Sequence, residues 1–357
     1  MHGRGVTAVI ALAATLAVPA AASAATKTVQ AGPPGSQAAQ FQQAFGDANN
    51  FFRKVTTIHK GDSVKWKING FHNVLFPQAG VEVPALVIPD ASSLVTGVLD
   101  AANVPFWFNG QPNLSINPLA AAPKGGKTFK PGKLFNSGLP PEDGPPSPYQ
   151  LKFKKTGSFS YFCAVHPGMS GTIKVVKKSK AVPSGKADKK ARNNEIAAKL
   201  AQVNRLTTGA NLSLTNTIQA GNDRRSGATI YKFFPAVANI KAGTTLTLQM
   251  SPSTTELHTF TFGPINGKDG YVDQLAANLI GRVIDPRGAY PSDLPSAGTP
   301  VYTGTNHGNG FLNTGFLAGG DPVQLPTSRK VTFTTPGTYN YICLIHPFMT
   351  GRVTVTP

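Results

Sequence analysis

Cysteine is scarce in this sequence: 357 residues contain two, Cys163 and Cys343. Two thiols cannot build a disulfide-dense scaffold, nor a four-thiolate zinc or iron–sulfur site within one chain. Charge is also sparse, at 14% of residues, and acidic groups are the scarcer sign, with 16 Asp and Glu against 34 Lys and Arg. Methionine (4) and histidine (7) are few enough to cap any metal chemistry. Beyond the N-terminal segment, no stretch reaches the roughly 18 uninterrupted apolar residues expected of a membrane helix. Turn formers are plentiful, with 37 Gly and 30 Pro, and hydrophobic residues make up 40%. That mixture favours a turn-rich β protein over a helical bundle. The length suggests two domains, at about 150 residues each.

Arg4 precedes an Ala-rich apolar run from Val6 to Ala22, which ends in Ala22-Ser23-Ala24. A short charged region, an apolar core and an A-x-A site are the marks of a secretory signal, so residues 1–24 are expected to be removed on export. The mature chain is then an extracytoplasmic protein, periplasmic or at the cell surface, and not an integral membrane protein. Its compartment is expected to be oxidising.

Positive charge concentrates between Lys177 and Arg205, far more densely than in either flank. Ile196, Leu200 and Val203 share one helical face there, and Gly209 is a natural stop. Residues 177–209 therefore read as a basic linker containing a short helix. A solvated connector is the plain reading; attraction to an anionic surface or an acidic partner is the sharper one. No nucleic-acid-binding motif accompanies the charge, so no nucleic acid is expected as a partner.

The two flanks repeat each other. Thr28-Val29-Gln30-Ala31-Gly32 returns as Thr217-Ile218-Gln219-Ala220-Gly221, and Val55–Trp66 follows the pattern of Val237–Leu248. Phe71-His72 corresponds to Leu257-His258, and Phe135-Asn136-Ser137-Gly138 to Leu312-Asn313-Thr314-Gly315. Gly157–Val175 aligns without gaps to Gly337–Val355. Ordered matches over two long spans point to a tandem β domain, at residues 25–176 and 210–357. Alternating apolar positions between Gly turns, such as Val64 and Trp66 or Leu246 and Leu248, mark short strands of a β-sandwich. Between the early His and the Cys of each copy lies a long Pro-rich insertion, in which Val272–Ile284 has helical character.

Chemistry concentrates in the gap-free match. Cys163-x-x-His166-x-x-Met169 and Cys343-x-x-His346-x-x-Met349 place thiol, imidazole and thioether on one tight turn. His72 and His258 stand upstream, on strands after equivalent Gly turns. Two His and one Cys in a plane with a weak axial Met is the donor set of a blue copper centre. Soft sulfur suits Cu(I) and imidazole also suits Cu(II), so a fixed intermediate geometry lessens rearrangement on electron transfer. Pro167 and Pro347 stiffen the turn by fixing φ.

On these motifs both halves resemble the cupredoxins, the plastocyanin, azurin and amicyanin group of blue copper proteins. The run Tyr341-Ile342-Cys343-Leu344-Ile345-His346-Pro347-Phe348-Met349 is most similar to the amicyanin type, with its short loop. The resemblance implies an all-β architecture of two Greek-key sandwiches joined by the linker. It implies two copper ions per chain, one held by His72, Cys163, His166 and Met169, the other by His258, Cys343, His346 and Met349. It also implies that the loop histidines, His166 and His346, are the more exposed ligands, with redox partner proteins docking around them. The long insertions depart from the family pattern.

Other readings compete with this one. A Cys163–Cys343 disulfide would leave the repeated His and Met unexplained. A laccase-like centre needs H-x-H pairs, and the chain has none; once four histidines serve copper, only His2, His59 and His307 remain, and His2 leaves with the signal. A reductase-type second copper also needs more histidines than that. His59 and His307 lack counterparts and read as ordinary loop residues. The expectation is an exported electron carrier without catalytic residues; the alternatives are copper sequestration or delivery and, less strongly, a two-domain copper oxidoreductase.

Overall fold

Val64 and Trp66, alternate residues of the strand Ser63–Ile68, are fully buried, while Lys65 between them and Lys67 after them are not. The period of two makes each strand present one apolar face to a core. In the computed structural model, which describes residues 24–141, 147–254, 256–266, 270–278, 283–319 and 325–357, such strands assemble into paired sheets in each half. The expected signal segment lies outside the described residues except for Ala24.

In the N-terminal half one sheet runs in the order Phe51–Phe52, Thr26–Ala31, Ser63–Ile68, Tyr149–Phe153, Thr128–Phe129. The facing sheet runs Val55–His59, Ser170–Val176, Gly157–Phe162, Leu75–Phe76, Phe135–Asn136. The C-terminal half has the same order: Phe233–Phe234, Thr217–Ala220, Thr244–Met250, Ser328–Phe333, Val301–Tyr302, and Val237–Lys241, Thr350–Thr356, Gly337–Ile342, Thr261–Phe262, Leu312–Asn313. Even the mixture of parallel and antiparallel pairs recurs, with Thr26–Ala31 parallel to Ser63–Ile68 and Thr217–Ala220 parallel to Thr244–Met250. The protein is all-β in class, and each half encloses its own core, around Trp66, Phe76 and Tyr161 or around Phe260, Phe262 and Tyr341.

Residues outside these sheets tie the halves together. Gly46–Ala48 pairs antiparallel with Ala228–Ile230. The insertion of the first half supplies Val87–Leu94 and Pro112–Ile116, and the latter pairs with Val283–Ile284 of the second. A further core forms between them, where Val95, Phe106 and Phe108 meet Val272, Leu275 and Phe311. Each large apolar side chain buried there contributes about 1.5–3 kcal/mol. The insertions thus build the contact between halves. The helical segment expected within Val272–Ile284 is the helix Tyr271–Asn278, and Val283–Ile284 is a strand.

The linker helix is longer than its sequence suggested, 22 residues from Gly185 to Leu206, with the Ser184 side chain accepting from the Ala187 amide at its start. Ile196, Val203 and Leu206 are buried against Phe41, Phe52, Ile230 and Phe234, from both halves, with Leu200 partly buried beside them. Tertiary packing on both sides extends it beyond what its weak apolar stripe marks. Lys27 and Arg53 pair with Asp188, at 2.6 and 3.6 Å.

His307 closes another link. Its Nδ1 lies 3.1 Å from Asp100 in the first half, and its Nε2 lies 3.7 Å from Asp293. Burial alone would pull this imidazole down, but the nearby carboxylates of Asp293 and Asp100, the latter hydrogen-bonded to it, outweigh it and hold it above its ordinary value. Burial likewise opposes ionisation of Asp100 and Asp293, yet hydrogen bonds to Asp100 from two backbone amides and His307, the Ser292 hydroxyl bonded to Asp293, and the nearby imidazole hold both below the usual carboxylate range. A raised imidazole stabilises the fold below its unfolded value of about 6.5 and loses that effect as pH rises through the folded value. Depressed carboxylates do the opposite, losing theirs as pH falls below about 3.8. The clasp is therefore strongest between roughly pH 4 and 6.5. Urea unfolding of wild type and His307→Gln across pH should show the largest difference near pH 5–6 and a shrinking one above neutrality; a difference that grows with pH would contradict the clasp.

Candidate metal centres

Two tight turns, each between the last two strands of a half, bring the expected donors together. Strand Gly157–Phe162 runs directly into Cys163, and Ser170–Val176 leaves directly after Met169. The amide of Cys163 donates to the Met169 carbonyl at 3.0 Å, and the amide of Met169 to that of His166 at 3.0 Å. The second turn repeats this: Cys343 donates to Met349 at 3.0 Å, and Met349 to His346 at 2.7 Å. Met169 and Met349 are buried at the ends of the turns.

The upstream histidines complete a triangle in each half. In the first, Cys163 Sγ lies 3.6 Å from His166 Nδ1 and 4.0 Å from His72 Nδ1, and the two nitrogens are 2.9 Å apart. In the second, Cys343 Sγ lies 3.6 Å from His346 Nδ1 and 3.5 Å from His258 Nδ1, with 3.2 Å between the nitrogens. These are the two groups of His and Cys, among the described residues, that are placed to hold a metal ion. Both cysteines are free, so the disulfide reading is set aside.

Burial makes the triangles uncomfortable without a cation. Desolvation pushes both thiols up to about 11. It pulls His166 down to about 3 and His72 and His258 well below their ordinary value, with the neighbouring histidine adding to the effect for the last two. His346 is also lowered, by burial first, with Glu256 opposing. Burial thus disfavours thiolate and imidazolium alike at each site. Two ring nitrogens at hydrogen-bond distance need a proton or a cation between them. Donors so spaced can reach one ion at bond lengths of the kind zinc takes, about 2.0 Å to nitrogen and 2.3 Å to sulfur. The donor types, thiolate with two imidazoles and a thioether, fit copper.

The residue after each upstream histidine fastens the strand to the loop. Asn73 Oδ1 accepts from the Ala164 amide at 2.8 Å, and Thr259 Oγ1 accepts from the Leu344 amide at 2.9 Å. The Thr259 amide also donates to Cys343 Sγ at 3.4 Å. The repeated Asn-Ser/Thr-Gly supports this from behind. Ser137 accepts from the Val74 amide and Thr314 from the Phe260 amide, while Asn136 and Asn313 donate to carbonyls of the insertions. In the first half the glycine of Gln-Ala-Gly has a role too. Gly32 is left-handed (φ +70°), and a Cβ there would lie 2.8 Å from His72 Nε2.

Within each triangle the loop histidine is the more exposed donor, as the resemblance implied: His346 is half-buried where His258 is fully buried, and His166 exceeds His72 only slightly. His166 is 5% exposed, because its half packs against the other at this end. A cavity of about 710 Å³ lies between the halves, lined by His72, His166, Glu256 and His346 with Phe45, Phe71 and Phe348 among its apolar walls. Phe348 is 61% exposed, and its ring centre is 6.1 Å from that of His346. Glu256, which sequence reasoning passed over, stands between the sites. His59 is a surface residue bonded to the Lys180 carbonyl, and His307 belongs to the clasp; neither joins a triangle.

No protein-family model matches the chain, and no curated relative does. Solved structures do. Auracyanin B is 24% identical over 41% of this chain and 94% of its own, with a TM-score of 0.25. Oxidised plastocyanin from Dryopteris crassirhizoma is 21% identical over 39% and 99%, at 0.21, and a mutant amicyanin in its reduced state is 19% identical over 39% and 80%, at 0.19. These three solved neighbours are cupredoxins. No helix among the described residues is long and apolar enough to cross a membrane.

The Asn73 fastening has a measurable consequence. Asn73→Ala leaves a buried amide without its acceptor, which costs about 1–3 kcal/mol. Urea unfolding should register that loss, and chelator competition should show faster metal release from the first half alone. Unchanged stability and release would contradict the role.

Proposed function

We propose that each half is a cupredoxin domain holding one type 1 copper, and that the chain is an exported electron carrier. The observation that carries the reading is the pair of buried Cys–His–His triangles, each closed by a turn that ends in a buried Met. His72, Cys163, His166 and Met169 would hold one ion, and His258, Cys343, His346 and Met349 the other. Bound copper supplies one-electron chemistry between Cu(I) and Cu(II). The chain supplies a donor geometry fixed by the Pro-stiffened loop and the Asn73 and Thr259 hydrogen bonds, and apolar neighbours that limit water.

No catalytic role is proposed for any residue. The remaining described histidines, His59 and His307, are engaged elsewhere. Redox partners would approach where Phe348 lies exposed beside His346, since His166 is enclosed. Lys177, Lys178 and Lys180, with Lys186, Lys189 and Lys190 of the linker helix, are exposed and would favour an acidic partner or an anionic surface.

Loading the mature protein with copper should give two ions per chain and an intense visible thiolate-to-copper band. Cys163→Ser and Cys343→Ser should each remove about half of that band and one ion. A colourless loaded protein would contradict the type 1 reading, and substantial turnover of oxygen or nitrite would contradict the carrier.

A further inference from the structure

The Nε2 atoms of the two loop histidines converge on one carboxylate. Glu256 Oε1 lies 3.4 Å from His166 Nε2, and its Oε2 lies 3.9 Å from His346 Nε2. The first histidine belongs to one half and the second to the other. Glu256 is 8% exposed, and a carboxylate so enclosed needs donors to offset its lost hydration. It has them from both halves: Asn49 Nδ2 donates to Oε1 at 2.6 Å, and the Tyr231 hydroxyl donates to it at 3.2 Å. The Tyr231 ring also lies over His346, with ring centres 4.7 Å apart.

The strand pair between the halves fixes these anchors. Asn49 directly follows Gly46–Ala48, and Tyr231 directly follows Ala228–Ile230. The Asn49 amide donates to the Gly227 carbonyl at 2.8 Å, and the Tyr231 amide to that of Phe45 at 2.7 Å. A histidine that turns Nδ1 toward a metal site keeps its proton on Nε2, and that N–H ordinarily finds a carboxylate or carbonyl that sets ring orientation. Here one carboxylate faces two such rings from two sites.

We propose that Glu256 is a positioning residue that couples the two copper sites, so that an electron passes between them by way of His166, Glu256 and His346. The proposal rests on the copper reading above and makes the chain one two-electron unit. In the step one electron leaves Cu(I) at one site and reduces Cu(II) at the other. No bond forms or breaks, and both imidazoles keep their Nε2 protons. The negative carboxylate also favours Cu(II) at both sites, more at the first, where it lies closer.

Glu256→Gln tests the coupling with two readouts. In the metal-free protein, the ring-nitrogen NMR resonances of both His166 and His346 should move; movement of one alone, or of neither, overturns the shared contact. In the two-copper protein, flash reduction of one site should be followed by redistribution to the other at least tenfold more slowly than in wild type, with both reduction potentials raised. The Cys→Ser variants supply the spectrum of each centre. Redistribution at the wild-type rate with both ions bound overturns the bridge and leaves the copper reading standing. A wild-type chain that binds no copper overturns both. Glu256→Asp retains the charge one methylene further back and guards against misfolding of the Gln variant. Its redistribution should fall between the other two, and a wild-type rate there counts against the bridge.

Discussion

Everything at the centre of this protein depends on holding three reluctant donors together away from water. A thiol and two imidazoles converge within 2.9–4.0 Å in each half, where burial makes thiolate and imidazolium alike unfavourable. A cation that replaces the thiol proton relieves this. The surrounding scaffold keeps the donors from relaxing without it: a turn locked by two backbone hydrogen bonds, an Asn or Thr joining strand to turn, and an Asn-Ser/Thr-Gly corner behind.

Much of this was legible in the sequence because the constraint acts at short range. Cys, His and Met at fixed offsets share a turn that flanking strands hold, so spacing alone predicts their meeting. Alternation in Val64 and Trp66, or Leu246 and Leu248, predicts the sheets in the same way. The upstream histidine came from repetition: His72 and His258 follow matching strands, and both close their triangles. The corner motif was also visible as a repeat, but its hydrogen bonds to the insertions were not, because their partners are backbone carbonyls that no pattern marks.

Features that differ between the halves escaped. Glu256 aligns with Gly70, so a comparison of repeats discards it, and only the packing of the halves shows what it faces. The same packing encloses His166 and gives the insertions their role. Long-range contacts of this kind depend on which apolar faces meet, as Phe106 meets Phe311, and a single chain's composition carries no record of that. The linker helix exceeded its sequence signal for the same reason, since Leu206 finds partners from both halves. His307 had no counterpart and read as an ordinary loop residue, though two carboxylates from distant segments hold it.

Duplication and packing together set the character of the molecule. Two separate sandwiches would present two independent loops to solvent; here a strand pair, a shared core and a linker helix turn the loops toward one carboxylate. The most direct measurement is the copper anomalous signal from crystals of the loaded protein. Two peaks are predicted, one within bonding distance of His72, Cys163 and His166 and the other of His258, Cys343 and His346, with Glu256 between them. A single peak, or density on the carboxylate with the triangles empty, would contradict the account.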